Sequence, residues 1–233
     1  DLTPIWELPG VYGLNDTVFS CMSWTFVDSF IMESNTFSVN GLIYDDFNAY
    51  PVQCDVFLIS ADSYDTISIT TSDTMGEYQF NNVDSGQYYI LAKPLDSISF
   101  YLPSYFCFTC SSNCENIRWD SSPPITIFQD TMTIDIKLSN KPPLMMGSAK
   151  ISGYITEGNS SFRGPGDGID RIVIGMNNQN TGQVIDAAIS GSDGYFEFNN
   201  VELGNYTLMP DIVGVSVDTS SANSININDP KDS

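Results

Sequence analysis

The cysteines are the residues of this 233-residue chain whose spacing most suggests chemistry. Cys107, Cys110 and Cys114 share the stretch "CFTCSSNC", in which the first two have the C-x-x-C spacing of a zinc site. A zinc site needs a fourth ligand, and only Cys21 or Cys54 could supply it. A disulfide clamp on a long loop is favoured in a chain of secreted character. We predict at least one disulfide among the three clustered cysteines, with Cys54 as a further candidate partner.

Histidine is absent from the chain, and its absence limits the enzymatic chemistry that the sequence allows. There is no Ser-His-Asp or Cys-His nucleophile pair, no imidazole metal ligand and no imidazole base that titrates near neutral pH. Carboxylates are plentiful, yet no stretch places two of them in an evident catalytic motif. The sequence therefore predicts a protein that is not an enzyme.

The formal net charge of −21 excludes several classes of partner. Nucleic acid and anionic membranes are poor partners, because phosphate binding needs clustered Lys and Arg and the first basic residue is Lys93. No apolar run reaches the ~18 residues of a membrane span. An acidic surface fits an extracellular protein that takes up divalent cations. We expect an extracellular location.

Three aspartates in turn-like stretches are weak candidates for calcium ligands. Asp167 and Asp170 lie in "GPGDGID", and Asp193 lies in "SDGY". Their spacing is far from a full ligand set, so solvated turns are the favoured interpretation. The prediction is a protein without a cofactor, with calcium as the open alternative.

Several hydroxyl residues stand in Asp-Ser/Thr-aliphatic triplets, which resemble the short O-glycosylation sequon of some Gram-negative envelope and secreted proteins. The candidates are Thr17, Thr66, Thr74, Ser97 and Thr131. The preference of Asp-Thr for turns at strand ends explains the same triplets without sugar. We predict a glycoprotein, and keep the turn explanation open.

The elements that position these residues follow from an internal repeat. "FNNVDSGQYYIL" begins at Phe80 and "FNNVELGNYTLM" begins at Phe198, and Gly76 has its counterpart in Gly194. A repeat of this length indicates two copies of one structural unit. Short β-rich runs bounded by turn residues predict strands in both copies. In the first they are Thr36–Tyr44, Asp55–Ser60, Thr66–Thr71, Glu77–Asn81, Gln87–Ala92, Ile125–Gln129 and Met132–Leu138; in the second, Ala149–Thr156, Arg171–Met176, Val184–Ser190, Tyr195–Asn199, Asn205–Met209 and Ser224–Asn228.

The repeated pattern G-x-Y-x-F-x-x-V-x-x-G-x-Y resembles the carboxypeptidase regulatory-like and collagen-adhesin B-type repeats of bacterial surface proteins. The resemblance implies an all-β fold of two tandem Ig-like, transthyretin-like Greek-key sandwiches with an N-terminal strand extension. We predict an extension over residues 1–35, a first sandwich over 36–140, a Pro-rich linker over 141–147 and a second sandwich over 148–233. Such modules serve as stalks, spacers and binding domains, so the resemblance implies the fold rather than one function.

The two copies differ at their ends, and the difference predicts an assembly mechanism. The first copy closes with two strands separated by a turn, whereas the second closes with "SININDPKDS", whose strand Ser224–Asn228 is not followed by the expected seventh strand. Before the first copy, residues 17–31 form an apolar candidate donor strand whose only charge is Asp28. We predict that this strand completes the second sandwich of a neighbouring copy. The expected interface residues are Val18, Met22, Trp24 and Phe26 of the donor, and Ile225 and Ile227 of the acceptor.

Two functions remain open at this stage. The preferred one is a structural, pilus-like subunit of an extracellular bacterial filament, whose partners are copies of itself joined head to tail by strand donation. The alternative is a monomeric cell-surface adhesin or carbohydrate-binding stalk module. In that case the exposed aromatic rings of Tyr101, Tyr105 and Trp119 would contact glycans. In the alternative, residues 17–31 add an eighth strand to their own first sandwich.

Overall fold

A computed structural model describes residues 36–95, 100–108, 117–129, 132–142, 147–156, 168–215 and 224–228. Within these ranges the regular structure is all β apart from a 3-10 turn, Trp119–Ser121, and no helix is long and apolar enough to cross a membrane. The strands are β1 Thr36–Asp45, β2 Cys54–Ser60, β3 Thr66–Thr71, β4 Glu77–Asp84, β5 Gly86–Pro94, β6 Ser104–Tyr105, β7 Ile125–Ile127, β8 Met132–Thr133, β9 Ile136–Leu138, β10 Ala149–Tyr154, β11 Val173–Asn178, β12 Val184–Ile189, β13 Tyr195–Val201, β14 Gly204–Asp211 and β15 Ser224–Ile227.

The first sandwich packs two sheets around one core. One sheet has the order β4-β1-β8, with β9 also pairing β1, and the other has the order β3-β2-β5-β6, with β7 also pairing β5. Where one face of a strand meets the core, buried and exposed residues alternate along it. In β4, for example, Tyr78 and Phe80 are buried and the residues next to them are exposed. The core includes residues from both sheets, among them Val39, Leu58 and Ile90.

The second sandwich repeats this arrangement with fewer strands among its described residues. Its sheets have the orders β10-β13 and β12-β11-β14-β15. The register makes β10 the counterpart of β1, β13 of β4 and β15 of β7, because each pair makes the same antiparallel contact. The core gathers residues of both sheets, including Ile151, Met176 and Phe198. The all-β class and the tandem sandwiches expected from the repeat are confirmed.

The repeated motif has a local structural cause in both copies. Asn82 and Asn200 adopt φ values of 57° and 59°, a left-handed conformation that Asn tolerates better than most residues. Each lies where β4 or β13 makes a bulge against its neighbour. Tyr88 and Tyr206 then donate their hydroxyls to main-chain carbonyls four residues earlier, at 3.0 and 2.9 Å. The twelve-residue repeat thus encodes one bulge-and-corner geometry twice.

The strand predictions agree with the structure to within three residues at the strand ends, except at two points. The two-residue strand β6, which pairs with Leu91 and Ala92 of β5, was not predicted. The predicted strand Met132–Leu138 is divided into β8 and β9 around Ile134 and Asp135. The predicted extension 1–35 and its donor segment lie outside the described residues. Asn35–Ser233 forms one compact unit, and the proposed domain boundaries within it stay a prediction.

Candidate functional site

The edge of β10 distinguishes the second sandwich from the first. Strand β1 is paired on both sides, antiparallel with β4 and parallel with β8 and β9. Its counterpart β10 pairs with β13 alone among the described strands. Unpaired N–H and C=O groups along a sheet edge are a template on which another strand can form hydrogen bonds. We call this edge of β10, with the core residues beneath it, the acceptor groove.

The first sandwich shows what a strand contributes at this position. The N–H of Ile134 donates to the carbonyl oxygen of Asn40 at 2.7 Å, which extends the sheet beyond β1. Ile134, Ile136 and Leu138 place their side chains in the core, where each is 4% exposed or less. Burying an aliphatic side chain of this size stabilises a fold by about 1.5–3 kcal/mol. The strand formed by β8 and β9 is therefore a major part of the first core.

The core of the second sandwich is less covered beside the acceptor groove. Ile155 is half-buried, whereas its counterpart Ile43 in the first sandwich is fully buried. Leu208 is also half-buried, whereas its counterpart Ile90 is 1% exposed. Both differences have the sign expected if the second sandwich lacks the side chains that β8 and β9 supply to the first.

A glycine marks where a strand crosses β1 and β10. A Cβ added to Gly41 would lie 1.9 Å from the backbone oxygen of Ile134, so only glycine allows that strand to approach. The hydroxyl of Tyr78 donates to the same oxygen at 2.6 Å. In the second copy, Gly153 takes the place of Gly41, and the three nearest atoms to its added Cβ all belong to the ring of Phe196. The second copy thus keeps the glycine in the groove.

The outer face of β10 is polar. Lys150 donates to Oε2 of Glu197 at 2.6 Å, and the Tyr195 hydroxyl donates to the same oxygen at 2.7 Å. Hydrogen bonds from Lys150, then from Asn199 and Tyr195, lower the pKa of Glu197 to about 2. A strand that pairs with β10 therefore needs one apolar face toward the core and tolerates polar groups on the other.

The two expected acceptor residues, Ile225 and Ile227, lie on β15, and their part in a strand-donor interface stays a prediction. Ile227 is 2% exposed and Ile225 is half-buried, and both pack in the core of their own sandwich. Their strand β15 pairs with β14, as β7 pairs with β5, so it occupies a place other than that of the last strand. Among the described strands, β10 also has an edge without a partner, and the sequence analysis did not select it. The expected donor residues Val18, Met22, Trp24 and Phe26 lie outside the described residues.

The cysteine predictions are corrected at one position. Cys54 is a free thiol, fully buried at the start of β2, where its N–H bonds to Ser72 as Ile172 does to Ser190 in the second copy. It takes the place of an apolar core residue, so it is not available as a disulfide partner, and burial raises its pKa to about 12. Cys107 is disulfide-bonded. Cys110 and Cys114 lie outside the described residues, and the connectivity stays a prediction.

The aromatic side chains expected to be exposed for ligand binding are engaged within the protein. Tyr105 is 2% exposed and hydrogen-bonded to Asp211. Tyr101 is half-buried and reaches Asp45 at 3.5 Å. Trp119 is half-buried, with edge-on contacts to the rings of two tyrosines. The prediction that these three rings are exposed is therefore wrong for Tyr105, and the other two rings are only partly exposed.

The remaining candidates are surface positions. Asp170 pairs with Arg171 at 3.6 Å, and Asp193 accepts the N–H of Tyr195 at 3.0 Å. Among the described residues no group of three metal-ligating side chains occurs. Thr66 and Thr74 are exposed, so glycosylation there stays a prediction. Asp167, Thr17, Ser97 and Thr131 lie outside the described residues.

A polar joint between the two sandwiches was missed by sequence reasoning. The Tyr105 hydroxyl donates to Oδ2 of Asp211 at 2.7 Å, and the backbone N–H of Trp119 donates to Oδ1 at 3.3 Å. Lys93 donates to the carbonyl oxygen of Arg171 at 2.5 Å. Burial raises the pKa of Asp211 and lowers that of Lys93 to about 8. The signal in the sequence was a lone lysine within the apolar run of β5.

A cleft of about 300 Å³ lies beside this joint. Its walls combine Phe57, Ile59 and Leu91 of the first sandwich with Ile172 and Val213 of the second. The Lys93 ammonium lies 4.4 Å from the centroid of the Phe57 ring. The joint therefore combines apolar contact with buried hydrogen bonds, which fixes the second sandwich against the first.

Lys93 gives the stability of the protein a specific pH dependence. Because its folded pKa of about 8 is below the unfolded value of 10.5, the unfolded state holds the extra proton between these pH values, and stability rises with pH there. The rise is at most about 3.5 kcal/mol at ~1.4 kcal/mol per pKa unit. We expect Lys93→Met to remove it, as measured by urea unfolding at pH 7.5 and 10. Lys137→Met, at an exposed position, is the control; equal pH dependence in both variants would contradict the prediction.

The fold alone, before any relative is considered, defines the class of protein as tandem transthyretin-like sandwiches. No protein-family profile matches the chain. It is similar to the serine-aspartate repeat-containing protein F of Staphylococcus epidermidis, with 23% identity over 188 residues, 74% of this chain and 10% of that protein. The chain thus spans about a tenth of that relative. The fold and this similarity confirm the resemblance drawn from the repeat.

Two of the solved structures that match parts of this chain are pilins. A streptococcal ancillary pilin matches 84% of this chain and 60% of its own, with 14% identity and a TM-score of 0.33. The shaft pilin SpaA of Lactobacillus rhamnosus GG matches 82% of this chain and 93% of its own, with 11% identity and a TM-score of 0.33.

Proposed function

We propose that the protein is a structural subunit of an extracellular filament on a bacterial cell surface, and that subunits join by strand donation. Residues 17–31 of one subunit occupy the acceptor groove of the next. The observation that carries the proposal is the edge of β10, which lacks a described partner although its counterpart β1 has one on both sides. The role is mechanical rather than catalytic.

The donor segment has the chemistry that the acceptor groove requires. Val18, Met22, Trp24 and Phe26 alternate with residues of the opposite face, and Asp28 is the only charge between Asp16 and Glu33. Main-chain hydrogen bonds to the sheet edge supply affinity, and the alternating side chains fill the core beneath. A segment so rich in β-formers and so poor in charge is an aggregation hazard unless it is paired.

The positions of donor and acceptor explain why assembly would continue into a filament. The donor precedes the first sandwich in the chain, and the acceptor groove belongs to the second. A contact between two different surfaces is heterologous, and it propagates when its rotation does not close a ring. The polar joint between the sandwiches, with Tyr105 and Asp211 at its centre, would carry tension along each subunit.

Deletion of residues 1–35 tests the proposal. We expect the full chain to form fibres visible by negative-stain electron microscopy, and the deleted chain to remain monomeric with an unchanged first sandwich. The second sandwich of the deleted chain should take up a synthetic peptide of residues 17–31, which would raise its unfolding temperature. Fibres that persist after the deletion would contradict strand donation. A full chain that is monomeric would favour the adhesin or stalk module.

A further inference from the structure

We infer that the donated strand runs parallel to β10, with its main chain crossing Gly153 and its bulky C-terminal half over the uncovered end of the acceptor groove. The occupant is residues 17–31 of a second copy of this chain. The inference rests on the proposed function and adds the direction of the strand, which neither the sequence nor the open edge alone determines.

The first sandwich provides an internal template for the direction. Val39 pairs with Met132 and Ile43 pairs with Ile136, both in a parallel sense. Between these pairs the ladder is interrupted, and the carboxylate of Asp135 accepts the N–H of Leu42 at 2.9 Å. Because β10 repeats the register of β1 against its other neighbour, a strand that follows the template runs in the same direction.

Glycine supports a main-chain crossing at the same place. The Ile134 carbonyl oxygen occupies the space where a Cβ of Gly41 would be. Gly153 keeps this space in the second copy, where the three nearest atoms of the described residues belong to the Phe196 ring, the first at 2.9 Å. A side chain at position 153 would fill the space that an incoming main chain needs. Because the second copy has glycine there, it keeps that space.

The distribution of burial along β10 gives a second, independent indication of direction. At the start of the strand, Ala149 and Ile151 are already 2% and 6% exposed. Toward its end, Gly153 and the following Ile155 are only half-buried. The space to be filled is therefore at the C-terminal end of β10.

When the two strands are parallel, the bulkiest part of the donor lies at the C-terminal end of β10. Its inward positions begin with Val18 and the small Ser20 and end with Trp24 and Phe26. In a parallel arrangement the two large rings cover Ile155, whereas an antiparallel donor would place them over residues that are already covered. Close packing disfavours the second arrangement, because it combines overpacking at one end with a void at the other.

Cysteine cross-linking determines the direction of the donated strand relative to β10 and does not require knowledge of the exact register. The acceptor cysteine is placed at Lys150→Cys or Tyr154→Cys, two exposed outer-face positions about 13 Å apart on β10. The donor cysteine is placed at Phe19→Cys, Ser23→Cys or Val27→Cys, in a Cys21→Ser background. Mild oxidation of assembled material is followed by denaturing electrophoresis without reductant.

We expect ladders of covalent oligomers, in which the donor position that cross-links best to residue 154 is C-terminal to the one that cross-links best to residue 150. The reverse order, in filaments that still form, would overturn the parallel direction and leave the proposed function intact. A cross-link confined to single chains, or filaments without any cross-link, would overturn the second-copy donor. Failure of the Cys21→Ser parent and the wild type to form filaments would overturn the proposed function itself.

Discussion

Replacing Trp24 with Asp is expected to abolish filament assembly while the first sandwich remains folded. The substitution would place an unpaired carboxylate in the apolar acceptor groove, at a cost of several kcal/mol in the assembled state. At the ~1.4 kcal/mol per factor of ten that relates free energy to affinity, a cost of ~4 kcal/mol weakens each contact about a thousandfold. Analytical ultracentrifugation and electron microscopy measure assembly, and circular dichroism measures folding.

The neighbouring residue supplies a matched control. Thr25→Asp introduces the same charge one residue later, on the face of the donor that is expected to point away from the core. We expect this variant to assemble, with at most a modest change because the surface of the protein is already acidic. Loss of assembly in both variants, or in neither, would show that residues 17–31 do not enter the groove with Trp24 inward.

The second large effect is expected from a pair of glycine substitutions. Gly41→Ala should destabilise the isolated subunit by about 3 kcal/mol, because the new Cβ would overlap the Ile134 carbonyl oxygen and displace β8 and β9. Gly153→Ala should cost about 1 kcal/mol in the isolated subunit, because only the movable ring edge of Phe196 must shift. Assembly should nevertheless be lost in Gly153→Ala, because the space for the incoming main chain is filled.

Urea unfolding of monomeric subunits and a filament assay separate the two effects. The deletion of residues 1–35 provides monomers in which both substitutions can be compared. An equal loss of stability in the two variants would mean that a strand of the same chain already crosses Gly153 in the monomer. Normal assembly of Gly153→Ala would contradict a main-chain crossing at that residue.

The sequence predicted the strands well because their positions depend on local features. The sequence shows directly the alternation of apolar residues along Glu77–Asp84 and the turn residues Gly76 and Gly194. In the structure these two glycines have φ values of 76° and 79°. The repeat located the bulge at Asn82 and Asn200 without identifying it, since a left-handed Asn leaves no periodic signal. The fold class was therefore predictable from one sequence.

The site was predictable only in part, because it depends on which strands are neighbours. The sequence indicated that the second copy has one strand fewer, but adjacency in the chain suggested β15 as the acceptor. The structure shows that the last strand of the first copy pairs with β1, which is distant in sequence, so the corresponding edge is β10. The joint between Lys93 and Arg171 was missed for the same reason, as it links residues 78 positions apart.

Cys54 illustrates a different limit. Its spacing from the cysteine cluster allowed a disulfide, whereas its burial at 0% exposure makes it a core residue. Burial of the thiol depends on which face of β2 meets the core, and the sequence shows β2 as an apolar run without indicating which positions face inward.

A cryo-electron microscopy reconstruction of filaments assembled from the full chain would test strand donation most directly. The account predicts a strand from the neighbouring subunit beside Ala149–Tyr154, parallel to it, with density for Trp24 next to Ile155. It also predicts that this strand connects to the first sandwich of the neighbour. Density showing that the edge of β10 is covered by residues of its own chain, or that it is open to solvent between subunits, would contradict the account.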